Sequence, residues 1–171
     1  MPTLVEIVPY DAAWPRHFEA CAAELRSLLG PCVIAVDHVG STAVPRLSAK
    51  PLLDIGVTLR GGHDISAACA ALVAAGYESR GNRYGDGMWA FLHGTAVPPR
   101  RVYVFAAGNE AHARRITFRD YLRIHDEAAR DYERLKMRLA VAHPYDGDRY
   151  TAAKGAFIAD IVRRARAAAD E

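Results

Sequence analysis

Between Ala12 and Leu29 the apolar positions Phe18, Cys21, Ala22, Leu25, Leu28 and Leu29 recur every three or four residues, which predicts an amphipathic helix closed by Gly30-Pro31. The pattern then changes. Cys32 to Val36 is a β-favouring run, and Leu52 to Leu59 is a second apolar run interrupted by Asp54; both read as strands, the second one buried. Val44-Pro45 and Lys50-Pro51 make the stretch between them a loop with one helical turn. Leu4 to Val8 alternates weakly and predicts a short edge strand. After the Gly61-Gly62 turn, Asp64 or Ser66 caps a helix to Ala75, with Gly76 at its C′ position. Tyr77 to His93 predicts a hairpin around Tyr84-Gly85-Asp86-Gly87, and Arg101 to Phe105 a further strand.

From Asn109 onward the period is helical, with Asp126 as the cap that divides two helices. Tyr132, Leu135 and Leu139 give the second of these an apolar face, and His143-Pro144 ends it. Asp146-Gly147-Asp148 turns into a last helix carrying Tyr150, Phe157, Ile158 and Ile161 on one side, with a polar, frayed tail from Arg163 to Glu171. The expected architecture is α+β: a core over residues 1–108 and a helical C-terminal third over 109–171, in one domain of 171 residues.

Composition narrows the function classes. Half the residues are hydrophobic and a quarter charged, so the chain can bury a core without metal or disulfide staples. The formal net charge of +2 is too balanced for bulk nucleic-acid binding. Cys21, Cys32 and Cys69 include no CxxC pair, and Cys21 and Cys69, in Ala-rich helical patterns, read as reduced packing residues. No segment approaches the roughly 20 apolar residues that span a bilayer, and the N-terminus has no basic region before an apolar run; a cytoplasmic location, without membrane partners, is expected.

Candidate chemistry is concentrated in HVGSTAVPRLSAKPLLDIGV, His38 to Val57. Gly40 lets the backbone approach a phosphate, and Ser41, Thr42 and the following N–H groups can bind its oxygens, although a plain capped turn has the same sequence. Asp54 is the sharper signal, because a carboxylate inside a buried strand is costly unless it is paired, hydrogen-bonded or holds a metal. On a strand Asp54 and Gly56 share one face, and Gly56 withholds the second acid that a Mg²⁺ site favours. Asp37 is a conceivable substitute that no spacing supports. His38 reads either as a general base or as a core histidine. Lys50 either meets phosphate or is solvated; Arg119 and Arg123, one turn apart, either present a paired cation to an anion or form a surface face; Lys154, four residues before Ile158, either reaches a cleft or snorkels.

Taken together, HVGSTAVPRLSAKPLLDI, FRDYLRIHDEAARDYERLK and YTAAKGAFI, in this order and after the opening VEIVPYDAAWPRHFE, resemble the GrpB family over nearly the whole chain. That family is placed in the nucleotidyltransferase superfamily, and related domains are fused to some bacterial dephospho-coenzyme A kinases. The resemblance implies a nucleotidyltransferase-like mixed sheet flanked by helices, with Gly40 and Ser41 facing phosphate and Asp54 facing Mg²⁺. It implies transfer of a nucleotidyl group from a nucleoside triphosphate to an unknown acceptor.

Five positions depart from the family or superfamily pattern: Arg46 replaces a glycine, Met88 and Trp89 stand where paired arginines are usual, Tyr103 replaces a histidine, and Gly56 lacks the usual superfamily acid. These changes remove positive charge and add apolar and aromatic surface, which suits a small organic ligand better than a triphosphate, unless Met88 and Trp89 are core. Two alternatives to nucleotidyl transfer therefore stand. One is a repurposed small-molecule enzyme with His38, Asp54 and Tyr103 as acid-base groups and Trp89 against the ligand; the other is a non-catalytic ligand-binding protein.

Overall fold

The structure, a computed structural model, describes residues 3–170. Its centre is a five-stranded mixed sheet in the order β1-β2-β5-β4-β3. The strands are β1 (Val33–Val39), β2 (Leu53–Leu59), β3 (Glu78–Gly81), β4 (Trp89–His93) and β5 (Arg100–Ala106). β2 and β5 run parallel, and the other neighbours are antiparallel. The helices are α1 (Trp14–Leu29), α2 (Ile65–Ala74), α3 (Glu110–Ile124), α4 (Asp126–Ala142), α5 (Gly147–Ala153) and α6 (Gly155–Ala169). The result is a nucleotidyltransferase-like α+β fold with a helical C-terminal part.

Strand alternation divides the sheet into two different faces. Leu53, Ile55, Val57 and Leu59 of β2 join Phe91, Val102 and Val104 in a core covered by Trp14, Cys21 and Leu25 of α1 and by Ala68 and Leu72 of α2. The alternate residues of β2, Asp54, Gly56 and Thr58, face the other way, toward the C-terminal helices. A second apolar cluster, with Leu122 and Tyr132 packed on Val44 and Leu47, fixes those helices over the loop that follows β1. Phe91 is fully buried in the first core. Phe91→Ala is expected to lower stability by about 3–5 kcal/mol, measurable by denaturant titration.

Several elements differ from the pattern-based expectation, each for a local reason. Leu4 to Val8 is no strand; Val8 makes one isolated bridge with Ala49, and the Val5 N–H bonds the Pro144 carbonyl. β1 continues past Val36 to Val39, carrying Asp37 and His38 into the sheet. Asp126 is the first residue of α4 rather than its cap, and its carboxylate pairs with Arg46. The expected last helix breaks at Lys154-Gly155 into α5 and α6. The helix α6 persists to Ala169 instead of fraying at Arg163: Arg163 and Arg164 pair with Asp160, and Arg166 with Glu110 of α3. Glu171 of that expected tail lies outside the described residues.

Candidate active site

β1 delivers the chain to Gly40, whose φ of 73° is in the region that side chains rarely adopt. A Cβ there would lie 2.7 Å from Asp54 Oδ2. The glycine is therefore needed twice, for its backbone and for the space that Asp54 occupies. Ser41–Ala43 forms a single 3₁₀ turn, closed by N–H bonds from Ala43 to the Gly40 carbonyl and from Val44 to the Ser41 carbonyl. Two arginines of α3 hold this turn from outside the cleft. Arg119 Nη1 donates to the His38 carbonyl at 2.9 Å, and Arg123 Nε donates to the Ala43 carbonyl at 2.9 Å.

Asp54 lies across β2 from Val39 of β1 and beside Arg101 of β5. Its Oδ1 is buried and has no hydrogen-bond partner; the nearest cation, Arg101 Nη1, is 3.8 Å away, close enough to attract but not to bond. A cleft of about 330 Å³ opens over Asp54, between the sheet and helices α3 to α6. Six cations line it: Lys50, Arg101, Arg114, Arg115, Lys136 and Lys154. Asp54 is the sole carboxylate among the described lining residues. Arg115 lies over the Tyr103 ring with its guanidinium carbon 3.9 Å from the centroid, and Lys50 and Lys154 flank the Tyr150 ring at 4.3 and 4.5 Å. Lys136, 1% exposed, donates from Nζ to the Ser48 carbonyl and lies 5.0 Å from the Tyr132 ring centre.

Crowding this much positive charge into a partly buried space has a measurable consequence. Burial, then repulsion from Lys154, lowers the Lys136 ammonium from its ordinary value to about 7. Burial, then repulsion from Lys50, lowers Lys154 to about 8. Lys50 is lowered as well, by burial and then by Arg101. For a lysine with a depressed folded-state pKa, the stabilising contribution is full above the unfolded value near 10.4 and is lost as pH falls through the folded value. Without added ligand the protein should therefore lose stability from these residues progressively as pH drops from about 10 to about 8 for Lys154 and to about 7 for Lys136. An anion in the cleft favours the charged forms and reverses the trend. Thermal melts from pH 6 to pH 9 are expected to show the largest ligand-induced shift at the acid end; a shift that grows with pH would contradict this.

The structure brings Gly40, Ser41, Thr42, Lys50, Asp54, Tyr103 and Lys154 to the one cleft. It places the other sequence candidates elsewhere. His38 alternates onto the α1 side of the sheet, stacked on Phe18 with ring centres 4.8 Å apart. Its Nε2 is hydrogen-bonded to Thr42 Oγ1 at 2.8 Å, and burial followed by Arg123 and Arg119 lowers its pKa to about 4. It touches the cleft through Thr42 alone. Arg119 is used on the turn and on Asp120. Trp89 pairs with Val104 and so shares the face of Phe91, on the core side of the sheet; Met88 is buried and does not line the cleft either. The expected loss of positive charge is corrected too, because Arg101, Arg114, Arg115 and Lys136 supply it from other positions.

Three of these had weak signals: Lys136 follows Tyr132 by four residues, and Arg114 and Arg115 precede Phe118 by four and three, which puts them near the packed faces of their helices. Arg101 is on β5, beside Asp54. Asp54, with its unpartnered Oδ1, fits one hard cation that takes its remaining ligands from phosphate and water. Among the described residues there is no group of three or more His, Cys, Asp or Glu placed to hold a metal ion on its own.

A mixed sheet with a Gly-Ser turn set against an acid on the next strand defines a nucleotidyltransferase-like fold. The chain belongs to the GrpB family: the family model described as GrpB protein matches residues 4–164. It is 37% identical to the UPF0157 protein PA4798 of Pseudomonas aeruginosa, over 96% of this chain and 69% of that one. It is 34% identical to the UPF0157 protein YqkA of Bacillus subtilis, over 90% of this chain and 45% of that one. A dephospho-CoA kinase of Mycolicibacterium paratuberculosis matches at 30% identity over 94% of this chain, which spans 46% of the kinase. Among solved structures, the GrpB protein of Enterococcus faecalis superposes with a TM-score of 0.86 at 32% identity, covering 97% of this chain and all of that one. The Cid1 poly(U) polymerase bound to the UTP analogue UMPNPP superposes with a TM-score of 0.53 at 14% identity, over 86% of this chain and 46% of that one, a likeness of fold. No described helix is long and apolar enough to cross a membrane.

Proposed function

We propose that the cleft binds a nucleoside triphosphate through its phosphates and transfers the nucleotidyl group to a small-molecule acceptor. The observation that carries this reading is the set of six cations converging on a single carboxylate. A triphosphate brings about four negative charges, and burying them without partners costs many kcal/mol; this lining supplies partners. Lys50, Lys154 and Arg115 would bind the phosphate oxygens, and the Ser41-Thr42 turn would add hydroxyl and N–H donors. Mg²⁺, when bound at Asp54, supplies further neutralisation of the phosphates. Phe118, Ile158 and Leu52 at the walls exclude water, which strengthens each of these interactions.

The cationic lining disfavours an uncharged aromatic ligand, since Tyr103 and Tyr150 are already covered by Arg115 and by Lys50 and Lys154. Binding without transfer is the second reading, favoured by the missing second acid at Gly56. Incubation with nucleoside triphosphates labelled at the α-phosphate, Mg²⁺ and a bacterial small-molecule extract separates the two. Transfer predicts label in an acceptor with release of pyrophosphate, and a fall of roughly 100-fold or more in Asp54→Asn with the melting temperature little changed. Tight binding with no labelled acceptor would leave the binding reading standing alone.

A further inference from the structure

We infer that the cleft accepts at most one divalent cation, because the imidazole of His112 fills the volume that a second carboxylate on β2 would need. The inference rests on the proposal that this cleft handles a phosphate ligand with its metal. Two-metal phosphoryl chemistry holds its ions about 3.5–4 Å apart, which requires more than one carboxylate between them.

On β2 the positions facing the C-terminal helices next to Asp54 begin with Gly56. A Cβ at Gly56 would lie 2.6 Å from His112 Cε1 and 2.9 Å from its Nδ1. Real side chains do not approach so closely, so no acid can stand there while the imidazole stays. The imidazole is well held. His112 is 8% exposed, its ring packs on Phe105 with centres 4.3 Å apart, and its N–H is capped by Asn109 Oδ1 at 2.9 Å. Its Nε2 lies 3.0 Å from Asp37 Oδ2; the carboxylate accepts, so Nε2 carries the hydrogen.

That last contact removes the remaining alternative. Asp37 is the β1 residue directly opposite Gly56, and so the acid from which a neighbouring strand would supply a second ligand. Its carboxylate is turned to His112 instead. The place on β2 is thus taken by the imidazole and the place on β1 by the imidazole's partner, while β5, the other neighbour of β2, presents Arg101 and Tyr103 opposite Asp54 and Gly56 and so no acid.

Two measurements on the full chain test this. In the first, Gly56→Ala should lower the unfolding midpoint by roughly 3–10 °C in the native background, and by much less in a His112→Ala background, where the ring is gone. Equal losses in both backgrounds would overturn the volume claim. In the second, free Mn²⁺ is followed by electron paramagnetic resonance, with and without a non-hydrolysable nucleoside triphosphate. The native chain should hold no more than one ion, and Gly56→Asp combined with His112→Ala should gain another. Two ions on the native chain, or a folded double variant with no gain, would overturn the inference. A chain that ignores the nucleotide altogether would end the proposal of nucleotidyl transfer, while the Mn²⁺ count alone would still decide this one.

Discussion

Gly40→Ala is expected to lower stability by about 2–4 kcal/mol and to abolish phosphate binding. Two penalties act together. The backbone at φ 73° and ψ −174° lies in a region essentially reserved for glycine and costs a side chain about 1–3 kcal/mol. The added carbon also meets Asp54 Oδ2 at 2.7 Å, so the carboxylate or the turn must move. Asp54 has little room to do so, since its strand is locked between β1 and β5. Either movement separates Ser41 from Asp54 and spoils the cleft floor. Gly30→Ala makes a control, because that glycine also has positive φ, 75°, but nothing stands within 4 Å of its Cβ position. It should show the backbone penalty without the loss of binding. Denaturant titration with ligand calorimetry reads both effects, and equal behaviour of the two variants would contradict the account.

Lys154→Ala combined with Arg115→Ala is expected to weaken binding of a nucleoside triphosphate by about 10²- to 10⁴-fold. A hydrogen bond to a charged group contributes about 1.5–3 kcal/mol, and two are removed. Stability should respond differently. Lys154 is held below its ordinary pKa by burial and by Lys50, so its removal relieves a strained charge. The double variant should therefore melt near the native temperature while binding poorly. Arg163→Ala, which breaks an exposed pair with Asp160, should leave both properties essentially unchanged. A double variant that binds as tightly as the native chain would show that the ligand's charge is met elsewhere.

The floor of this cleft is legible in the sequence because it is local. Gly40, Ser41 and Asp54 fall within one strand-turn-strand segment, and an acid among Leu53, Ile55 and Val57 signals itself by breaking an apolar run. The walls are not local. Arg114, Arg115 and Lys136 sit on amphipathic helices, where a charge ordinarily means solvent; only the docking of α3 and α4 over the loop after β1 turns them inward. Trp89 shows the opposite failure. Its distance from the cleft follows from its register with Val104, which no local pattern specifies. Lys154 was legible as a residue near an apolar face, but its break from α5 to α6 was not. The pair Asp37 and His112, 75 positions apart in sequence, meets only through tertiary structure.

If the positive charge around Asp54 recognises phosphate, isothermal titration with ATP, CTP, GTP and UTP, each with and without Mg²⁺ and at two salt concentrations, should show micromolar or tighter binding of at least one of them, weaker at high salt because the attraction is partly screened. Mg²⁺ should add an increment that disappears in Asp54→Asn. No binding of any triphosphate in the native protein, or tight binding of an uncharged aromatic ligand with no response to salt, would contradict it.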